Sequence, residues 1–175
     1  MRVLLITPPM VQLNTPYPAT TVLAGFLQSR GIRVAQADLS LELALRLLSR
    51  AGLPPIPQAA RYRRTVDAVV RFLQGRNPRL ARRIVSREFL PEGPRFAVLD
   101  VLGYEELGVQ DQAKYLASLY IDDLVDLIRD TIDPRFELSR YAEKLALSAP
   151  TFDPLRRDLE KRAPTHVDRL LDRLT

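Results

Sequence analysis

The residues best placed for chemistry lie in the proline-rich stretch that runs from Thr7 through Pro8, Pro9, Met10 and Tyr17 to Thr20 and Thr21. An apolar run, Val3 to Ile6, precedes it and a helical pattern follows it. In open α/β sheets, ligands bind beyond the carboxyl ends of the strands, which is where such a loop would stand. Thr20 and Thr21 could offer hydroxyls and, at a helix start, backbone N–H groups to an anion. Neither G-x-G-x-x-G nor G-x-x-x-x-G-K-[ST] occurs, so no dinucleotide fingerprint and no P-loop is encoded. A rigid strand-to-helix connector with threonine caps explains the same residues.

Other chemistries find little support. There is no cysteine, which excludes a disulfide framework, a thiolate zinc site and an iron–sulfur cluster held by this chain alone. His166 is the only histidine; beside Arg162 and Asp168 on an expected surface helix, it reads as a solvated residue. The acid pairs Glu105-Glu106, Asp122-Asp123 and Asp126/Asp130, the last with Arg129 alongside, read as solvated helix faces. No serine stands in a nucleophile context such as G-x-S-x-G. Tyr62, Phe72, Tyr115, Tyr120, Phe136 and Tyr141 have the spacing of packing residues, not of a base-stacking platform. The net charge is +5, from 26 Lys+Arg against 21 Asp+Glu, and nearly all the cations are arginine. They cluster from Arg61 to Arg87; Arg79, Arg82 and Arg83 could meet phosphates, but nothing there reads bases.

The elements that would position the loop are a strand over Val3–Thr7, a helix from Thr20 to Gly31 and a second strand over Arg33–Asp38. Val3 to Ile6 is a continuous apolar run, as in a strand buried on both faces. Thr20 or Thr21 caps the helix, and Gly31 suits the left-handed residue just past its end. Asp38 or Ser40 opens another helix with Leu43, Leu47 and Leu48 on one face and Gly52 as its stop. Pro54, Pro55 and Pro57 read as a stiff linker and a boundary. Helical spacing then covers Ala59–Gly75, Asn77-Pro78 onward, Asp111–Ile132, Phe136–Leu147, Asp153-Pro154 onward and Thr165 to the last residue; Phe96–Leu102 is ambiguous and reads as helix. The expected fold is an α/β opening, a β-α-β start of an incomplete Rossmann-like parallel sheet, followed by a mainly α-helical subdomain. The expected division is 1–52 and 53–175. The last helix, with no stop signal, and the shortage of strands suggest a chain that continues. With 175 residues, 46% hydrophobic and 27% charged, the composition suits a globular protein of one domain or a little more. The apolar start ends at Pro8, too soon for a signal peptide, and nothing approaches the roughly 20 residues of a membrane span. A cytoplasmic protein with no membrane partner is the default.

Val3-Leu4-Leu5-Ile6-Thr7-Pro8-Pro9, then Tyr17-Pro18, then Leu23-Ala24 with Leu27, Gly31, Val34 and Asp38, resembles the N-terminal cobalamin-binding region of B12-dependent radical SAM proteins. The resemblance implies a Rossmann-like cobalamin domain followed by a radical SAM barrel. There, a C-x-x-x-C-x-x-C motif holds a [4Fe–4S] cluster that cleaves S-adenosylmethionine. Cobalamin-binding residues would be Thr7, Pro8, Pro9, Met10, Tyr17, Thr20 and Thr21. The chain departs from the pattern in having no cysteine and in turning helical from Ser40 onward. It also lacks the D-x-H-x-x-G motif, so the resemblance implies a cobalt with no histidine from this loop. The resulting expectation is the N-terminal part of a cobalamin-dependent radical SAM enzyme, not catalytic as this chain alone. S-adenosylmethionine and the cluster would sit in the missing remainder, and the partner would be that remainder or another protein's sheet. The alternatives are a non-enzymatic helical interaction module that docks on a partner and, last, an arginine-mediated nucleic-acid binder without sequence specificity.

Overall fold

Strand β1, Arg2–Thr7, and strand β2, Arg33–Asp38, pair in parallel, with Val3 opposite Val34 and Thr7 opposite Asp38. Parallel neighbours need a crossover, and helix α1, Pro18–Ser29, supplies it. The computed structural model describes residues 1–9, 11, 18–100, 104–134, 136, 138, 151–160 and 163–174. Helix α1 packs on the sheet with Ala24 buried and Thr20 and Leu27 half-buried along the same face. It begins at Pro18, earlier than the threonine caps expected from sequence. Proline has φ already set for a first helical position and lacks an N–H that would have no partner there. Thr20 and Thr21 therefore lie inside the first turn. At its other end Gly31 has φ +73°; its N–H donates to the Gln28 carbonyl, and the Ile32 N–H donates to that of Leu27. That pair of bonds is the Schellman ending, and it turns the chain into β2.

Helix α2, Leu39–Leu47, follows β2 at once, with the Leu41 N–H donating to Asp38 Oδ1 at 2.9 Å. The chain divides into two compact units, Met1–Ala44 with Glu137–Thr175, and Leu45–Phe136. This division falls inside α2 and not at the proline segment after Gly52. The reason is how the segment is fastened. Leu53 is buried, the Arg50 N–H donates to Asp67 at 2.8 Å, and Arg63 Nε donates to the Arg50 carbonyl at 3.2 Å. The turn into it needs glycine: a Cβ on Gly52 would lie 1.8 Å from the Arg46 carbonyl oxygen.

The second unit is helical. Helix α5, Val109–Thr131, is its axis, and helix α3, Tyr62–Leu73, helix α4, Ala81–Val85, and a 3-10 segment over Pro94–Asp100 all pack against it. The α5 stripe includes Ala113, Leu116, Ala117, Tyr120, Leu124 and Ile128, repeating at three and four residues as an amphipathic helix must. Val66, Val69 and Phe72 of α3 and Ala81 and Ile84 of α4 are buried with it. The described part of the Phe96–Leu102 expectation, up to Asp100, belongs to this 3-10 segment, with Phe96 and Leu99 buried; Val101 and Leu102 lie outside the described residues. Asn77 precedes the 3-10 turn Pro78–Leu80 as expected, but its side chain makes no cap bond.

In the first unit, helix α6 spans Asp153–Glu160 and helix α7 spans His166–Leu171. Thr165 and Asp168 form a full capping box on α7: Thr165 Oγ1 accepts from the Asp168 N–H at 3.1 Å, and Asp168 Oδ2 from the Thr165 N–H at 2.8 Å. Helix α7 does not run on as expected; it ends at Leu171, and residues 172–174 turn. The helix expected over Phe136–Leu147 lies almost wholly outside the described residues. The architecture is a short two-stranded parallel sheet followed by a mostly helical chain. Among the described residues, no helix is long and apolar enough to cross a membrane.

Candidate functional site

In a β-α-β unit the helix runs back antiparallel to its strands. The first turn of α1 and the carboxyl ends of β1 and β2 therefore share one end of the sheet, where ligands of such sheets bind. Thr7 closes β1 there and is buried, Pro8 is exposed and Pro9 half-buried. Thr20 is half-buried in the first turn of α1 and Thr21 exposed. Met10 and Tyr17 lie outside the described residues. Behind the loop, Ser40 Oγ donates to the Val11 carbonyl at 2.8 Å, tying the chain after β1 to the start of α2. The Thr7–Asp38 pairing sets the rim between the strands, with Asp38 engaged in capping α2. The described groups at this mouth are hydroxyls, a carboxylate and backbone amides. They can bind by hydrogen bonding and shape, and they include no imidazole or thiolate.

Among the described residues, one side of the sheet that carries this mouth is uncovered. Leu4 is 57% exposed and Ile6 48%, and Ala35, paired with Leu4, is exposed too. Val22, Leu23 and Phe26 are exposed on α1, where the Arg30 guanidinium lies 5.3 Å from the Phe26 ring centre. The sequence of β1 suggested a strand covered on both faces; the described residues cover one.

The second unit holds a carboxylate that was expected to be solvated and is not. Asp123 is 3% exposed. Its Oδ2 accepts the Gly93 N–H and its Oδ1 the Arg95 N–H, both at 2.9 Å. Burial pushes its carboxyl above the usual range, and these two hydrogen bonds oppose the shift. Gly93 must be glycine, because a Cβ there would lie 2.5 Å from the Asp123 carboxyl carbon. One turn on, Asp126 accepts from Arg95 Nε at 2.6 Å and from Arg95 Nη2 at 3.1 Å, and pairs with Arg129 at 2.9 Å. The Arg95 hydrogen bonds and charge hold the Asp126 carboxyl below its ordinary value. Each oxygen of Asp123 accepts a backbone amide, which suits a clamp on residues 93–95 better than proton transfer. The signal was in the sequence: Asp123 lies between Tyr120 and Leu124 on the apolar stripe, where an acid needs partners.

The aromatics do pack. Tyr62, Phe72, Tyr120 and Phe136 are buried, Tyr115 is half-buried, and Tyr141 lies outside the described residues. The Tyr62 and Tyr120 rings meet with centroids 5.2 Å apart at 42°. The Tyr120 hydroxyl donates to the Tyr62 carbonyl at 3.2 Å and lies 2.9 Å from Thr65 Oγ1. Burial pushes the Tyr62 phenol up to about 12 and raises that of Tyr120 as well. His166 is half-buried at the start of α7. Among the described residues, no group of three or more His, Cys, Asp or Glu could hold a metal ion. No protein-family model, curated protein or solved structure matches the chain.

Proposed function

We propose that this chain is the N-terminal part of a cobalamin-dependent radical SAM enzyme, supplying the start of the cofactor-binding sheet and a helical subdomain. The observation that carries the reading is the β1-α1-β2 unit. Its parallel strands and crossover helix fall on the residues of the family resemblance, from Val3 to Asp38, and its loop leaves the ligand-binding end. Parallel sheets are normally covered on both faces and extended by further strands. Leu4, Ile6, Val22, Leu23 and Phe26 give such strands and helices an apolar surface to cover. Thr7, Pro8, Pro9, Thr20 and Thr21 fit cobalamin as a wall of hydroxyls, amides and proline rings against its amide side chains, with Met10 and Tyr17 in the same loop. None of the described ones is a nitrogen or sulfur ligand, so the cobalt would take none from them. Bound cobalamin would supply the carrier chemistry; S-adenosylmethionine and the [4Fe–4S] cluster would belong to the remainder of the enzyme.

The same bare surface favours a second reading, a non-enzymatic module whose β-α-β unit docks on a partner's sheet and takes no cofactor. Titration of hydroxocobalamin into the isotopically labelled protein separates them. The first reading expects saturable changes at the amides of Thr7, Thr20, Thr21 and Asp38. Silence at all four amides at saturating hydroxocobalamin would remove the cofactor and leave the docking module.

A further inference from the structure

A cleft of about 600 Å³ opens in the second unit between the turn that leads into α4 and the start of α5, lined by Pro78, Arg79, Ala81, Arg82, Val109 and Gln110. Two segments some thirty residues apart make it, and Gln110 Nε2 holds them together by donating to the Pro78 carbonyl at 3.1 Å. Its lining contains two arginines and no acid. Among the described residues neither Arg79 nor Arg82 has a carboxylate within ion-pair distance, and both side chains are exposed. Their neighbours differ. Arg83 lies over the Phe89 ring at 4.7 Å, Arg87 pairs with Glu92 and Arg95 with Asp126. The nearest acid along α5, Asp111, faces Lys114 at 3.2 Å. The apolar part of the lining comes from Pro78, Ala81 and Val109, the last 46% exposed.

We propose that this cleft binds a small organic anion, a phosphate or carboxylate carried on an apolar body. Arg79 and Arg82 are three residues apart and present forked donors that match either oxyanion. Pro78, Ala81 and Val109 take the apolar part, as in ligand sites where a few polar groups orient a largely apolar contact. A polyanion held by charge alone would gain nothing from the apolar walls. The cleft is built from residues of the second unit alone and does not depend on the cofactor reading.

The test is amide chemical-shift titration of the labelled protein with phenyl phosphate and, separately, with benzoate. Saturable shifts at Arg79, Ala81, Arg82, Val109 and Gln110 are expected with at least one, and the tighter of the two names the head group. R79A and R82A should each weaken binding about tenfold or more, the loss of one charge-assisted contact. R83A, which removes the arginine stacked on Phe89, should leave it unchanged. The site is refuted if neither probe shifts those amides, if R83A weakens binding as much as R79A, or if benzyl alcohol or inorganic phosphate binds as well as the two-part probes.

Discussion

Replacing Asp123 by alanine leaves the Gly93 and Arg95 amides without their acceptor. A buried donor left unpaired costs about 1–3 kcal/mol, so D123A is expected to lose on the order of 2 kcal/mol or more in denaturant unfolding. D123N, which keeps one carbonyl oxygen, should lose less; equal stability of D123A and the parent protein would contradict the clamp. The two neighbouring acids should respond to pH in opposite directions. Asp126 has a folded value below its unfolded one, so its stabilisation is present at neutral pH and is lost as pH falls through that lowered value. Asp123 has a folded value above its unfolded one, so the folded state takes up that proton first and gains relative stability as pH falls through the same region. D126N should therefore flatten the acid limb of a plot of stability against pH, and D123N should steepen it. The reverse pattern in paired urea titrations at several pH values would show that burial and ion pairing have been assigned to the wrong residues.

At the scale of elements, two glycines are needed for different reasons. Gly31 has open space around it and a φ of +73°, so G31A meets only backbone strain, about 1–2 kcal/mol. For Gly52 the obstacle is space, the Arg46 carbonyl 1.8 Å from where a Cβ would be. G52A must move the end of α2 or the turn after it, and the penalty should exceed that of G31A. Thermal melts of the two variants give the order directly. The role of Gly31 was legible in sequence because a helix ending is local: a glycine follows an apolar-periodic run and precedes a strand. So were the capping box at Thr165 and Asp168 and the α5 stripe. The clamp was legible only in part: an acid on the apolar stripe of α5 marks Asp123 as needing partners, but Gly93 and Arg95 lie about thirty residues away and nothing local names them. The start of α1 was misjudged for a related reason. Threonine is a good cap in isolation, but Pro18 two residues earlier already fits the first helical position.

For the whole molecule, the β-α-β unit could be read from its pattern, since strand, helix and strand are adjacent in sequence. The return of residues 137–175 to the first unit could not, because nothing local marks a contact with a segment ninety or more residues away. A two-stranded sheet is marginal alone, and among the described residues no further strand pairs with either of its outer edges. Hydrogen exchange on the monomeric chain should accordingly find β1 and β2 amides far less protected than those of α5. Slow exchange of Val3 to Ile6 in a monomer would argue against an open sheet. The tyrosine pair gives the second unit a spectroscopic signature. The chain has six tyrosines and no tryptophan, and Tyr62 and Tyr120 lie in contact inside one core. Their coupled rings should dominate near-ultraviolet circular dichroism, so the loss of that band on heating reports the melting of residues 45–136. Both phenols have raised folded values, so their stabilisation is intact below the ordinary tyrosine range and is lost as pH climbs through Tyr62's value of about 12. A spectrophotometric titration in alkali should then show Tyr62 and Tyr120 ionising only as the dichroic band disappears. The Tyr62–Tyr120 pair is thus an optical label built into the core of the second unit.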